Sequence, residues 1–175
     1  DKTIPKFATH LVYVTRAKYR DDIESKIAYS LINKQPKRAD TYWFVYLYRS
    51  DEPYFFKYDV TTFVPGKMFR LDVYTGFKQG VHMDRFVHRI CTELAENGQV
   101  DLLSRYPSLR KRNIEGDFRF VVVNRFARNI KLPAYKKTML LIYYWIKKLE
   151  TSDTQMLDLD PSAVTLERVP LKTLE

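Results

Sequence analysis

The run Tyr42 to Tyr48 (YWFVYLY) limits the fold of this chain more than any other segment. It is apolar or aromatic throughout, so it lacks the alternation of a strand with one wet face. β-Branched and aromatic residues also favour extended backbone. The run therefore predicts a central β-strand covered on both faces, which requires other strands beside it and helices packed on the sheet.

Other short apolar runs predict the neighbouring strands. They lie at 10–15, 54–63, 69–74, 118–123 and 164–169. The run at 54–63 follows the central strand after a turn, so we expect the two to pair antiparallel. In the run at 69–74 apolar and polar residues alternate, which predicts one buried face and one wet face.

Apolar residues at helical spacing predict three amphipathic helices, over residues 21–35, 83–96 and 133–149. The third is apolar on several sides, so it lies either deep in the core or at a contact with a second copy. In the second case Tyr144 and Trp145 would contribute to self-association. The order of elements predicts the fold class α/β, with a mixed β-sheet and about three packed helices.

Length and composition fit one domain over residues 1–173. The last two residues, Leu174 and Glu175, are left out because an expression vector could have supplied them. The longest apolar run, Met139–Ile146, has eight residues, whereas a membrane-spanning helix needs about 20. The first five residues do not resemble a signal peptide. One cysteine, Cys91, allows no internal disulfide and favours a reducing compartment.

The sequence carries no motif of a nucleophilic enzyme, a P-loop or a dinucleotide fold. Cys91 lies in an apolar helical stripe and is expected to be a packed thiol. His82 and His88 are six residues apart, on different sides of the predicted helix, and His10 is distant in sequence. We therefore expect no enzyme activity, no metal site and no cofactor.

Positive charge is concentrated in one part of the chain. Residues 101–150 contain twelve Lys and Arg against four Asp and Glu, a net charge of +8 out of +9 for the whole chain. Several arginines stand beside aromatic residues, and this combination suits phosphate and base recognition. The alternatives are a solvated basic face and strand residues that face core and solvent in turn.

Several stretches resemble the hydrophilic C-terminal region of the HAK/KUP/KT potassium transporters, in a bacterial form. They are IPKFATHLVY (4–13), KIAYS (26–30), KQPKRADTYWF (34–44), DEPY (51–54), Gly76-Phe77, GDFRFV (116–121) and the closing run from Val164 to Leu171. Together they cover nearly the whole chain in order.

The resemblance implies a soluble cytoplasmic domain, attached after the last membrane helix of a proton-coupled potassium importer at the cell membrane. The domain itself would regulate and not transport. It also implies control by cyclic di-AMP, whose two-fold symmetry suits a homodimer interface. The residues that we expect to hold its phosphates and adenines are Arg38, Tyr42, Arg105, Tyr106, Arg110 and Arg119. The partners are then the membrane portion of the same transporter and a second copy of the chain. The alternatives are a structural, dimerising domain without a ligand, and an RNA-binding domain; nucleic acid is not the expected partner.

Overall fold

The computed structural model describes residues 4–16, 27, 29–30, 37–80, 82–126 and 159–170. These residues form one six-stranded sheet. Its strands are β1 (Lys6–Arg16), β2 (Arg38–Ser50), β3 (Phe56–Val64), β4 (Met68–Gly76), β5 (Phe118–Phe126) and β6 (Val164–Pro170). Helix α1 (Met83–Glu96) and the short helix α2 (Pro107–Arg110) lie between β4 and β5, and a 3-10 turn (Pro161–Ala163) precedes β6.

The strand order across the sheet is β3-β4-β2-β1-β5-β6. Four of the five neighbouring pairs are parallel, and only β3 runs antiparallel, against β4. The prediction of an α/β fold with a mixed sheet is confirmed. The YWFVYLY run becomes the interior strand β2, and all its residues from Trp43 to Leu47 are buried.

The predicted pairing of the segment 54–63 with the central strand is wrong. That segment forms β3, and β4 lies between β3 and β2. The chain reaches this position by crossing the end of β4 at Gly76, whose N–H donates to the Phe55 carbonyl at 2.7 Å. A Cβ at Gly76 would lie 2.5 Å from the Pro53 carbonyl oxygen, so only glycine permits the crossing.

The prediction of a wet face on β4 is also wrong. Arg70 and Asp72, the polar members of the alternation, are only 6% and 7% exposed. They are buried because their charges neutralise each other through two hydrogen bonds of 2.7 and 2.8 Å. Alternation alone could not separate a solvated face from one that buries an ion pair.

The helical predictions are met only in part. The segment 83–96 is α1. Of the apolar stripe expected there, Met83, Val87, Ile90 and Leu94 are buried and Phe86 is half-buried. Of the first predicted helix only Ile27, Tyr29 and Ser30 are described, and the third predicted helix lies outside the described residues. The described ranges contain two complete α-helices, one of four residues, and the helical residues Ile27 and Tyr29, so the predicted number of helices is not confirmed. Neither helix has the length and apolar character that crossing a bilayer would require.

The two faces of the sheet carry different cores. On the first face, side chains of β1, β2, β4 and β5 pack against α1 around Trp43 and Phe69. Both rings are fully buried and stack at 4.7 Å. On the second face a smaller apolar cluster surrounds Tyr13, Phe44 and Tyr46. Strand alternation also places Arg70 and Asp72 on this second face.

Candidate functional site

Arg105 and Tyr106 form the best-defined part of the expected binding site. The Arg105 guanidinium lies 4.8 Å from the centre of the Tyr106 ring, and its Nη2 donates to the Tyr106 hydroxyl at 2.8 Å. Nη1 donates to the Lys6 carbonyl at 2.8 Å, which ties the loop to the first residue of β1. The Arg105 side chain is 12% exposed, whereas Tyr106 is 50% exposed. The tyrosine ring is therefore the part of the pair that a ligand could reach.

Asp117 connects the Arg105 loop to the sheet. Its Oδ1 accepts hydrogen bonds from the N–H and the hydroxyl of Thr9, at 3.0 and 2.8 Å. Its Oδ2 lies 3.6 Å from Arg105 Nη2. Burial alone would raise the pKa of Asp117, but the Thr9 hydrogen bonds and the Arg105 charge bring it below its ordinary value. A Cβ at the preceding Gly116 would lie 2.5 Å from the Thr9 side chain, so only glycine at this position leaves room for Thr9 beside Asp117.

The loop after Tyr106 presents further positive charge. Arg110, Lys111 and Arg112 are all exposed, and they follow Pro107, the first residue of α2. Arg110 Nη2 lies 2.5 Å from Asp101 Oδ2, in a pair that is about half exposed on both sides. Solvent weakens such a pair, so Arg110 can exchange this partner for another anion at little cost.

The other three expected residues lie elsewhere at the same end of the sheet. Arg38, the first residue of β2, donates to the Ile4 carbonyl at 3.1 Å, and Arg119 on β5 donates to the Ser162 carbonyl at 2.8 Å. The Tyr42 hydroxyl donates to the Lys37 carbonyl at 3.0 Å and accepts from the Ala39 N–H. The structure thus brings Arg105 and Tyr106 together. Arg38, Tyr42 and Arg119 instead donate hydrogen bonds to backbone carbonyls.

This location differs from that of most ligand sites in parallel sheets. Arg38 and Arg119 lie at the starts of β2 and β5, and Arg105 contacts the start of β1. Open α/β sheets usually bind ligands beyond the carboxyl ends of their strands. The expected site therefore gains nothing from the usual crevice of such sheets, and it rests on the charge and aromatic surface of the loop 105–112.

Sequence reasoning missed a buried polar network on the second face. Lys37 Nζ lies 2.5 Å from Glu167 Oε1, and the two side chains are 4% and 5% exposed. Ser30 Oγ donates to the other Glu167 carboxylate oxygen and lies 3.3 Å from the Tyr13 hydroxyl. Burial raises the pKa of Tyr13 to about 12. The network joins β1, the segment before β2, and the edge strand β6.

These four residues come from four of the stretches that carry the family resemblance. Tyr13 belongs to IPKFATHLVY, Ser30 to KIAYS, Lys37 to KQPKRADTYWF and Glu167 to the closing run. The sequence contained two signals of this network. Lys37 follows Pro36, before which the first predicted helix ends, and Glu167 lies inside an apolar run. They could not be paired, because the partners are separated by 130 residues.

A second buried cluster lies on the same face, around Arg70 and Asp72. The Arg70 guanidinium stacks 4.0 Å from the centre of the Tyr46 ring, and its Nη2 donates to the Tyr48 hydroxyl at 3.3 Å. Tyr48 in turn donates to Asp72 Oδ1 at 3.0 Å. Burial and the Asp72 carboxylate both raise the pKa of Tyr48. Each charge of the cluster thus has an opposite charge and hydrogen-bond partners, which is the arrangement that makes buried charge tolerable.

The residues that could suggest catalysis are placed as packing residues. Cys91 is fully buried in the first core, and burial raises the pKa of its thiol, so a reactive thiolate is disfavoured. His10 is also fully buried and stacks on Phe118 at 4.5 Å. Burial lowers the pKa of His10, which keeps the ring neutral. Across the described ranges, no three His, Cys, Asp or Glu side chains are grouped closely enough to hold a metal ion.

Comparison with known proteins identifies the family. Residues 8–167 match the family model described as the K+ potassium transporter C-terminal domain. The chain is 40% identical over 98% of its length to a probable potassium transport system protein Kup from Flavobacterium psychrophilum, and it covers 26% of that protein. Proteins of the same name from Clostridium perfringens and Lactobacillus gasseri are 38% and 32% identical, over 95% and 98% of this chain and 25% of their own lengths.

The chain thus spans about a quarter of the length of the curated relatives it matches. No solved structure matches it. Because the family model covers nearly all of the sheet described above, the chain belongs to the family of K+ potassium transporter C-terminal domains.

Proposed function

We propose that this chain is the regulatory domain of a Kup-type potassium transporter and that it binds cyclic di-AMP. In this proposal the full-length protein imports potassium together with protons, and the domain lies at the cytoplasmic face of the cell membrane. The domain regulates by binding the nucleotide more tightly in one state of the transporter than in the other. It forms a homodimer, which suits a ligand with two-fold symmetry.

The observation that carries the ligand part of the proposal is the exposed loop 105–112. It combines a half-exposed tyrosine ring, Tyr106, with the cations Arg110, Lys111 and Arg112. An adenine can stack on the free face of the ring, and the phosphates can replace Asp101 as the partner of Arg110. Arg105 supports the site by holding Tyr106 from behind, through the contacts at 4.8 and 2.8 Å.

The second candidate is a structural domain that dimerises without a ligand. It is favoured by the internal hydrogen bonds of Arg38, Arg105 and Arg119, whose guanidinium groups donate to the carbonyls of Ile4, Lys6 and Ser162. Arginines engaged in this way stabilise the start of the sheet whether or not a nucleotide is present. This candidate predicts that no nucleotide changes the thermal stability of the chain.

A thermal-shift panel followed by calorimetry separates the two candidates. The panel contains cyclic di-AMP, cyclic di-GMP, ATP, AMP and a short RNA. A ligand at 100 times its Kd stabilises by about 2.7 kcal/mol, so cyclic di-AMP is expected to raise the melting temperature visibly. Calorimetry measures the stoichiometry: a nucleotide shared at the two-fold axis gives one per dimer, and separate sites give one per chain.

Variants then locate the site. A charge-assisted hydrogen bond contributes about 1.5–3 kcal/mol, so Arg110→Ala is expected to weaken binding by about one to two decades. Tyr106→Ala removes the stacking surface and is expected to weaken binding similarly. The control is Arg89→Ala, which removes an exposed arginine on α1. Absence of both heat and thermal shift at millimolar cyclic di-AMP would leave the structural candidate.

A further inference from the structure

Among the described residues, no strand lies beyond the outer edge of β3. β3 is the last strand of the sheet, and in the described part of the chain its only strand partner is β4. It runs for nine residues without a proline, and six of its nine residues are exposed. A long edge strand of this kind presents unpaired backbone groups to any extended segment that matches it.

The ladder with β4 determines which backbone groups face outward. Gly76 N donates to Phe55 O at 2.7 Å, so Phe55 and Gly76 form a hydrogen-bonded pair of the ladder. From there, hydrogen-bonded and non-hydrogen-bonded pairs alternate along the strand. In an antiparallel ladder every second residue directs its N–H and C=O to the partner strand. Lys57 and Asp59 therefore bond toward β4, while Phe56, Tyr58 and Val60 direct their backbone groups away from it.

The charges on β3 are symmetric about Tyr58. Lys57 and Asp59 flank it, at 59% and 52% exposure, and form an ion pair of 3.2 Å within the strand. If two copies of β3 pair antiparallel about Tyr58, Lys57 of each copy lies opposite Asp59 of the other. The backbone groups of Tyr58 in the two copies then face each other, as a hydrogen-bonded pair requires.

Neighbouring registers are disfavoured by the same charges. Pairing about Lys57 places two lysines opposite each other, and pairing about Asp59 places two aspartates opposite each other, which destabilises a sheet. Pairing about Val60 sets Lys57 opposite Phe63 and satisfies neither charge. Among these registers, only the one about Tyr58 matches both the backbone hydrogen bonds and the charges.

The apolar side of β3 supports the same arrangement. Phe56, Tyr58 and Val60 are partly buried against the first core, and Phe56 packs on Phe86 of α1 at 4.5 Å. In the register about Tyr58, Phe56 of one copy lies opposite Val60 of the other. The first core then continues across the two-fold axis, and side chains that are now partly exposed become buried.

The opposite edge of the sheet does not offer this surface. β6 has seven residues and includes Pro170. Its Glu167 is directed inward and paired with Lys37 at 2.5 Å. Prolines and inward-pointing charges are features that keep edge strands from pairing. β3 is therefore the edge suited to a partner.

We propose that two copies of this chain associate through antiparallel pairing of their β3 edges about Tyr58, giving one continuous sheet across a two-fold axis. The inference rests on the homodimer of the proposed function and names its interface. In this sheet the two copies of β1 are seven strand spacings apart, about 34 Å. The two loops 105–112 therefore cannot share one nucleotide, and the β3 dimer predicts one nucleotide per chain.

Val60→Pro tests the backbone pairing. Residue 60 directs its N–H away from β4, so proline removes no hydrogen bond within the chain but blocks one between copies. Sedimentation velocity of the 175-residue chain is expected to show a dimer for the wild type and at least a tenfold higher Kd for the variant. Circular dichroism and a melting curve check that the variant is folded. The control, Val64→Ala, changes an exposed residue of β3 outside the paired segment.

Charge reversal tests the register and does not depend on the fold tolerating proline. Lys57→Asp and Asp59→Lys each place like charges opposite each other in the homodimer, so each variant alone is expected to be monomeric where the wild type is dimeric. Mixed in equal amounts, the two are expected to form a heterodimer, because every opposed pair is then of opposite charge. Lys111→Asp, mixed with Asp59→Lys, is the control for general attraction between unlike charges.

The outcomes distinguish this inference from the proposed function. A wild type that is monomeric up to millimolar concentration, or reversal variants that dimerise as well as the wild type, would overturn the β3 interface. A dimer that survives Val60→Pro and both reversals but is lost in Trp145→Lys would assign the contact to the third predicted helix. Thermal shift with cyclic di-AMP is measured on the same variants. Loss of that response with an intact β3 dimer contradicts the ligand proposal alone.

Discussion

The two faces of the sheet bury side chains in different ways. The first face packs mainly apolar and aromatic groups against α1. Its buried polar side chains include His10, whose ring is kept neutral by burial, and the uncharged Thr41 and Thr75. The second face buries two ion pairs, Arg70–Asp72 and Lys37–Glu167, among tyrosines. An apolar face stabilises in proportion to the area it removes from water. An ion-paired face adds little net stability, but each partner is costly to leave without the other.

The comparison indicates that the buried ion pairs of the second face determine which segments come together and add little to the free energy of unfolding. The Lys37–Glu167 pair can form only when the segment before β2 and the edge strand β6 are both in place. A displaced β6 would leave the Lys37 ammonium without this carboxylate in a dry environment. The apolar face has no such requirement, since neighbouring side chains can shift to fill part of a gap.

The largest effect is expected on the first face. Trp43→Ala removes the largest fully buried side chain and its stack with Phe69, so it should lower the free energy of unfolding by about 3–5 kcal/mol. Adding Phe69→Ala should lower it further, because the cavity only grows. Urea denaturation measures both variants, and Tyr54→Ala is the control, since Tyr54 is 76% exposed. A stability loss below about 1 kcal/mol for Trp43→Ala would contradict the assignment of this face as the main core.

The second face is expected to respond in the opposite way to a second substitution. Lys37→Met leaves the buried Glu167 carboxylate without its cation and should cost about 3 kcal/mol. Adding Glu167→Leu removes the isolated charge and should restore stability to within about 1 kcal/mol of the wild type. The control is Arg89→Ala on α1, which should change stability by less than about 0.5 kcal/mol because the Arg89 side chain is 75% exposed. Additive losses in the double variant would show that the pair is not closed off from water.

Much of the sheet could be predicted from the sequence. All six strands were expected, and β2 was expected inside the sheet, because apolar runs and turns are local signals. The partner of β3 could not be predicted, since it depends on the crossing at Gly76, where two distant segments meet. The buried pair of β4 was missed because the pattern of Arg70 and Asp72 is the same for a wet face and for a neutralised one.

The candidate site divides in a similar way. Arg105 and Tyr106 are adjacent in sequence, and the structure shows them in contact. Arg38 and Arg119 were grouped with them by residue type alone, and the structure occupies them with backbone carbonyls of Ile4 and Ser162. Whether an arginine is available to a ligand depends on these long-range contacts, which composition does not encode.

The smallest effect concerns Tyr13 and its pH dependence. Among the described residues, the Tyr13 hydroxyl makes one long hydrogen bond, 3.3 Å to Ser30, so Tyr13→Phe should cost only about 0.5–1.5 kcal/mol at neutral pH. Burial raises the pKa of Tyr13 to about 12, from about 10 in an unfolded chain. Because the pKa of Tyr13 is higher in the folded chain than in the unfolded one, the stability that depends on a protonated Tyr13 hydroxyl is complete below pH 10. It is lost as the pH rises toward 12.

At pH 11 the ionisation of Tyr13 should therefore lower the free energy of unfolding of the wild type by about 1.4 kcal/mol. Tyr13→Phe has no such loss, so the difference in free energy of unfolding between the two proteins should narrow or reverse. Urea unfolding at pH 8 and pH 11 measures this difference. Tyr54→Phe is the matched control, because it removes the hydroxyl of an exposed tyrosine and should follow the wild type at both pH values. If Tyr13→Phe instead kept a constant distance from the wild type, the Tyr13 hydroxyl would be in contact with water. The second face would then be less dry than its two buried ion pairs require.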